Sequence, residues 1–260
     1  MISIFRRASE IILTSFLSIF PIDHVAIILD GNRRFAKVMG ISQLEGHRQG
    51  AFLIKKILPL FIKLRVKYLS MFVFSIENFS RDQENVNNTF SVIKDYILSE
   101  GNWLNEENSK VVISGKIEML PKDLMDVLKD LEFKTRKNTG IVLNICCAYS
   151  WTSELEMASK KYLESFTTIQ KDCLVNTNAN SENQIQDLTL TDEKFKSFIY
   201  NSEIPFPNIL IRTSGETRLS DFLIYQLCHN TRIYFVKTLW PQINNLKILI
   251  IILHYVIFYL

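Results

Sequence analysis

Asp30-Gly31-Asn32-Arg33-Arg34 follows directly on the apolar run Val25-Ala26-Ile27-Ile28-Leu29. An acid, two turn formers and two guanidinium groups at the end of a strand are poorly explained by packing alone. Asp30 can ligate a hard cation, Gly31 permits close backbone approach, and the arginines can grip phosphate oxygens in pairs. The chemistry these residue types suggest is metal-assisted work on a phosphorylated small molecule. A plainer use of Asp30 is to cap the helix that follows. Three further blocks share this character: Glu45-Gly46-His47-Arg48-Gln49-Gly50, Ser75-Ile76-Glu77-Asn78-Phe79-Ser80-Arg81, and Arg212-Thr213-Ser214-Gly215-Glu216-Thr217-Arg218-Leu219-Ser220. In the last of these, Gly215 allows a tight turn through which Arg212 and Arg218 can converge. Glu216 has a plainer role as a salt-bridge partner of one of them.

The elements that must position these residues alternate. Val25–Leu29, Tyr68–Phe74, Val111–Ser114, Ile141–Cys147 and Asn208–Ile211 read as short buried strands. Between them, residues 47–64, 83–105, 121–137 and 151–166 carry helical spacing, with Pro121 at a helix start and Gly140 in the loop after its end. His47 then begins the first of these helices. The pattern implies one α/β domain with a mostly parallel central sheet flanked by helices on both faces. Ligands of such sheets gather outside the carboxyl ends of strands, which places Asp30, Ser75–Arg81 and Arg212–Ser220 at one rim. Residues 170–190 are rich in Asn, Ser and Thr and read as a mobile surface loop.

The length of 260 residues suits a single domain with a substantial core, and a hydrophobic share of 47% excludes wholesale disorder. A net charge of +3 is too small to argue for nucleic-acid binding. Cys146, Cys147, Cys173 and Cys228 show no metal-ligand spacing, and the adjacent pair reads as buried thiols. A glycan on the sequon at Asn78 would block a candidate site, so a reducing, cytosolic setting is expected.

Both ends are apolar. Residues 1–21 form a helix in which Ile4, Ile11, Ile12, Phe16 and Ile19 share one face, suited to a membrane surface or to packing on the domain or a partner. Residues 242–260 form a second apolar helix. Its run Ile248–Leu260 spans roughly 20 Å as a helix, short of a bilayer core of about 30 Å, so an interface is expected there rather than a membrane span.

These four blocks, in this order, together with Leu239-Trp240-Pro241, resemble the cis-prenyltransferases, the family of undecaprenyl and dehydrodolichyl diphosphate synthases. The resemblance covers residues 22–241. It implies repeated condensation of isopentenyl diphosphate onto farnesyl diphosphate with magnesium, on an undecaprenyl diphosphate synthase-like fold. It further implies that Asp30 holds the metal and that Gly31, Asn32, Arg33, Arg34 and His47 bind the allylic diphosphate. Phe35 stands where an aromatic lines the start of the prenyl pocket. Ser75 and Asn78 lie near the condensation centre, Asn78 orienting a diphosphate or water that takes the proton. Ile76, Glu77, Phe79 and Arg81 flank them, and Arg212, Arg218, Leu219 and Ser220 bind the isopentenyl diphosphate.

Several departures matter. Gln43 stands where bacterial members often have arginine. No acid occurs in Gln226–Arg232, where those members place a second metal-binding glutamate. No arginine follows Arg232 and no glycine follows Gly215, so the Arg-x-Gly element of self-sufficient members is missing. Eukaryotic members obtain it from a second subunit similar to the Nogo-B receptor. The Thr-Ser-Gly and Leu-Ser-Asp-Phe forms also look eukaryotic. The resemblance therefore implies the catalytic subunit of a hetero-oligomer making dehydrodolichyl diphosphate for dolichol and protein glycosylation. It would work as a peripheral membrane protein at the cytoplasmic face of the endoplasmic reticulum. The alternatives are a bacterial-type homodimer making undecaprenyl diphosphate, a catalytically silent stabilising subunit, and an unrelated phosphate-ester enzyme on a similar sheet.

Overall fold

The computed structural model describes residues 2–175 and 191–260, with side chains for 8–165 and 191–260. The strands are β1 (His24–Ile28), β2 (Tyr68–Ser75), β3 (Lys110–Ser114), β4 (Val142–Tyr149), β5 (Ile209–Arg212) and β6 (Arg232–Phe235). They form one sheet in the order β3-β4-β2-β1-β5-β6, parallel throughout. β1, β2 and β4 are almost wholly buried, which explains why they read as continuous apolar runs. β1 lies between β2 and β5, at the point where the winding direction reverses.

Helices α1 (Ile2–Leu17), α2 (Asn32–Met39), α3 (Gln43–Lys63), α4 (Gln83–Glu106) and α5 (Lys122–Thr135) precede α6 (Trp151–Val175), α7 (Asp192–Lys196), α8 (Ile224–Leu227) and α9 (Asn245–Tyr259). The larger core lies on the sheet face that presents Val25, Ile27, Leu69, Met71, Leu143 and Ile211. Buried residues of α3, α4, α5 and α9 cover it. The opposite face, with Ala26, Ile28, Phe72 and Cys146, packs against Phe222, Leu223 and Leu227. The expected architecture, with helices on both faces, is what the chain adopts. The two apolar ends belong to it: α1 packs on α9 and α3, and α9 buries Ile248, Leu249, Ile252 and Tyr255.

Several boundaries differ from the sequence reading. α3 starts at Gln43, not His47, because Ser42 Oγ accepts from Glu45 N–H (3.1 Å) and caps it. α6 continues to Val175, so residues 170–175 of the expected loop are helical, while residues 176–190 lie outside the described residues. β6 was not foreseen; it is an edge strand with Ile233 and Phe235 exposed. Cys146 and Cys147 are buried free thiols, as expected; the side chain of Cys173 lies outside the described residues.

A chain of buried polar groups crosses the second face. His24 Nδ1–H donates to Pro205 O (2.6 Å), and Ser70 Oγ–H donates to His24 Nε2 (2.8 Å). Asn144 Nδ2 then donates to Ser70 Oγ, Ser114 Oγ to Asn144 Oδ1, and Asn201 Nδ2 to Ser114 Oγ. The irregular segment between α7 and β5 is thereby tied to four strands. Burial lowers the His24 pKa to about 4, so the ring is neutral. A folded-state pKa below the unfolded value of 6.5 means that the unfolded chain binds more protons between pH 6.5 and 4. This contribution to stability is complete above pH 6.5 and falls as the pH drops through that window. Urea melts should show about 2 kcal/mol lost between pH 7 and 5 from His24 alone. His24→Asn should remove that part of the dependence; an unchanged slope would show that His24 titrates normally.

Candidate active site

The strand order sets β2, β1 and β5 side by side, so the residues at their carboxyl ends converge on one cleft of about 1130 Å³. Asp30, Gly31, Asn32, Arg33 and Arg34 line it from β1 and α2. His47 comes from α3, Ser75, Glu77, Asn78 and Arg81 come from the segment after β2, and Arg212, Arg218 and Ser220 from the segment after β5.

Asp30 is fixed by its backbone, which leaves its carboxylate for other work. Its N–H donates to Thr213 Oγ1 (3.0 Å), Thr213 Oγ1–H reaches Asp30 O (2.7 Å), and Trp240 N–H also donates to Asp30 O (3.0 Å). The cap of α2 is Gly31 and involves no side chain, so the capping role for Asp30 is not realised. Gly31 has φ 114°, and a Cβ there would stand 3.1 Å from Leu239 Cα and Ser214 Oγ; only glycine fits without strain. A Cβ at Gly50 would collide with Asn32 Oδ1 and Trp240 Cδ1, so the second glycine of the Glu45–Gly50 block is what lets α2 lie against α3.

The carboxylate lies among guanidinium groups. Arg212, only 3% exposed, places Nη2 3.0 Å from Asp30 Oδ2, and Arg34 Nη2 lies 3.5 Å from Asp30 Oδ1. Arg212 Nη1 also donates to Ser220 Oγ (2.9 Å) and to Arg218 O, so the expected turn does bring the two arginines together. Glu216 pairs with Arg218 and, at 3.0 Å, with Arg34. Arg33, Arg81 and His47 form a different group. Burial, reinforced by the two guanidinium charges, lowers the His47 pKa to about 4, so it enters this group as a neutral ring. Burial and Arg33 likewise lower the Arg81 pKa. Gln43 lines the cleft where an arginine would have added charge.

After β2 the chain makes a 3-10 turn, Ile76–Ser80, capped by Ser75 Oγ accepting from Asn78 N–H (3.2 Å). That turn puts Asn78 on the cleft wall and swings Phe79 away, edge-to-face against Phe74 with ring centroids 5.0 Å apart. Four candidates are therefore not on the cleft wall. Phe79 and Phe35 pack inward, Phe35 buried beneath α2. Ile76 is half-buried in the turn, and Leu219 packs against the smaller core. In each case an apolar side chain takes the buried side of its segment and leaves the polar neighbours to face the cleft.

Behind the polar cleft lies an apolar cavity of about 80 Å³, lined by Ala51, Ile54, Met71, Val92, Ile97 and Leu104 among others. The two spaces share Leu29, Asn32, His47, Val73 and Thr89, which form a neck between them. Asn32 Oδ1 is buried there without a hydrogen-bond partner. The sequence reading assigned no individual role to Thr213, Trp240, Val73 or Thr89. Thr213 stands between two assigned residues and was open to recognition; the neck is formed by packing that has no local signature.

Magnesium, implied by the resemblance, can be tested against these groups. No cluster of three or more ligating side chains occurs among the described residues. Magnesium, however, is commonly held by one or two carboxylates together with substrate phosphates. Asp30, half-exposed on the cleft wall, satisfies that requirement. Thr231 donates to Pro207 O instead of facing the cleft, so Gln226–Arg232 adds no ligand.

Comparison with known proteins agrees with this geometry. A family model described as "Putative undecaprenyl diphosphate synthase" matches residues 28–257. An isoprenyl transferase of Clostridium acetobutylicum is 35% identical over 223 residues, covering 85% of this chain and 81% of the relative. A tritrans,polycis-undecaprenyl-diphosphate synthase (geranylgeranyl-diphosphate specific) of Thermoplasma volcanium is 31% identical, covering 87% and 83%. Among solved structures, lavandulyl diphosphate synthase from Lavandula x intermedia, in complex with dimethylallyl diphosphate, superposes with a TM-score of 0.76. It is 26% identical and covers 90% of this chain and 94% of that one.

Proposed function

Given that the chain belongs to the undecaprenyl diphosphate synthase family, the cis-prenyltransferases, we propose that it adds isopentenyl diphosphate repeatedly to farnesyl diphosphate, giving a long cis-polyprenyl diphosphate. One observation carries this reading: an arginine-rich cleft narrows through Asn32 and His47 into a predominantly apolar space. Such a shape suits a molecule with a diphosphate head and a hydrocarbon tail. Each methylene buried favours binding by about 0.8 kcal/mol. The cavity is smaller than a farnesyl tail, so α3 and α4, which wall it, part as the chain enters.

In the reaction the allylic carbon–oxygen bond breaks, and its electron pair leaves with pyrophosphate. Isopentenyl C4 attacks that carbon with the double-bond electrons, and a proton leaves isopentenyl C2, whose C–H electrons form the new C2–C3 double bond. Arg33, Arg34, Arg81 and His47 hold the allylic diphosphate and Arg212, Arg218 and Ser220 the second, with Arg34 at the boundary of the two through Glu216. Asn78 orients the diphosphate oxygen or water that receives the proton. Magnesium, ligated by Asp30 and diphosphate oxygens, would neutralise the departing pyrophosphate.

Two branches of product and assembly follow. The Thr213-Ser214-Gly215 and Leu219-Ser220-Asp221-Phe222 forms support the dolichol branch, with a Nogo-B receptor-like subunit and a site at the cytoplasmic face of the endoplasmic reticulum. The identity to bacterial isoprenyl transferases supports a homodimer making undecaprenyl diphosphate. Peripheral membrane contact is supported by α1, where Ile11, Ile12 and Phe16 stay exposed, with Ile19 just past its end, beside a groove containing Lys56 and Lys63. No helix among the described residues is long and apolar enough to cross a membrane.

The test is incorporation of labelled isopentenyl diphosphate from farnesyl diphosphate and magnesium, with the chain alone and with the candidate second subunit. Product only in the mixture supports the hetero-oligomer; product from the chain alone supports the homodimer. Absence of product in both overturns the enzymatic proposal. Flotation of the same protein with anionic phospholipid vesicles checks the surface contact, which Phe16→Glu should weaken.

A further inference from the structure

The arginines of the cleft are not equivalent. Arg33 and Arg81 are exposed, and no described carboxylate forms an ion pair with either. Arg212, Arg34 and Arg218 are instead joined in one alternating chain, Arg212–Asp30–Arg34–Glu216–Arg218. Glu216 is the middle of its outer half. One carboxylate oxygen meets Arg34, the other meets Arg218, and the side chain lies on the cleft wall. Two oxygens bridging two guanidinium groups is also what a bound diphosphate would offer them.

The backbone beneath Glu216 is fixed. Ser214 and Gly215 are both left-handed, at φ 83° and 74°. Ser214 N–H donates to Thr238 O (2.8 Å) and Gly215 N–H to Val236 O (2.9 Å). Displacing the carboxylate therefore requires side-chain rotation only, and its 26% exposure leaves room for that.

We propose that Glu216 is an internal anion that occupies the second diphosphate subsite of the free protein and swings out when a diphosphate enters. The proposal rests on reading the cleft as a diphosphate site. In the empty protein, Glu216 keeps Arg34 and Arg218 aligned against their mutual repulsion. A diphosphate carries more charge than a carboxylate and displaces it, with apparent affinity reduced by the fraction of subsite still closed. At the Arg33–Arg81–His47 subsite, Asp30 and Glu77 act on Arg81 only through space, and among the described residues no ion pair has to be broken. After reaction the diphosphate in this subsite is that of the elongated product, and the returning Glu216 competes with it and favours its departure from the subsite.

Calorimetric titration of inorganic pyrophosphate, with metal chelated and ionic strength held constant, tests this. The wild-type protein should bind at a stronger and a weaker subsite. Glu216→Gln should tighten the weaker one by about tenfold, the scale expected from losing two partly exposed ion pairs, and leave the stronger one in place. Glu216→Ala should shift it the same way, which guards against an effect peculiar to the amide. Unchanged or weakened binding at that subsite in both variants overturns the proposal and makes Glu216 a support for the arginines. Absence of pyrophosphate binding in every protein overturns this proposal and the diphosphate reading together.

Discussion

Asp30→Asn is expected to lower kcat/KM for prenyl condensation on the order of a thousandfold, the scale of losing one preorganised electrostatic group. The effect should be chiefly chemical. Asn keeps the size of Asp30 and an oxygen that accepts from Arg212 Nη2, while the Thr213 and Trp240 bonds engage only its backbone. Arg212 loses its counter-charge, so the thermal midpoint should fall by several degrees, but with the carboxylate that would ligate magnesium gone the loss of activity should far exceed what unfolding explains. Steady-state kinetics and a melting curve on the same sample separate the two. Activity within about tenfold of wild type would remove Asp30 from the chemistry. It would also strengthen the reading of the chain as a stabilising subunit.

The second large effect separates two arginines that look alike in sequence. Arg212 is buried and bonded to Asp30, Ser220 and Arg218 O, whereas the Arg218 side chain is 66% exposed and, among the described residues, pairs only with Glu216. Arg212→Gln should cost about 3 kcal/mol of stability, because a buried charge pair loses one member. It should also abolish condensation. Arg218→Gln should leave the melting curve unchanged and lower kcat/KM by about a hundredfold, through weaker transition-state binding of the second diphosphate. Lysine should not rescue position 212, since one ammonium group cannot address Asp30, Ser220 and the Arg218 carbonyl from a planar fork. Equal destabilisation by both Gln variants would refute the division into an inner and an outer arginine.

That division was not legible in the sequence, although both residues were. The blocks carrying Asp30, Asn78 and Arg212 could be placed at one rim because each follows a buried, strongly apolar strand, and the parallel sheet does the rest. The strand ending at Arg212 was read one residue short. A charge is an unusual last residue for a buried strand, and only the Asp30 carboxylate two residues past β1 makes it tolerable. β6 escaped notice because edge exposure breaks the apolar run that betrayed the other strands. The start of α3 was available: Ser42 followed by Glu45 is a capping pattern, and reading it would have placed His47 in the second turn. The sequence puts Phe35 at the start of the prenyl pocket and Phe79 beside the condensation centre, but which side of a turn an aromatic takes depends on tertiary packing.

The helix pairing of α1 with α9, and of β1 with β5, has a consequence for how the chain folds as it is made. β1 can pair with β2 early, since only the locally folding helices α2 and α3 lie between them. Its other edge waits for residues 209–212, and α1 waits for residues 245–259. Asp30 and Arg212 meet across a separation of 182 residues. Contacts of such range form late and slowly, and until then one edge of the central strand and one flank of the first helix stay uncovered. A nascent chain thus has half its anion-binding groups in place and no cleft. The gain of pyrophosphate binding at the subsite of Arg212 and Arg218 is accordingly a reporter of the last step of assembly, and this exposed interval is where a chaperone or premature self-association would act.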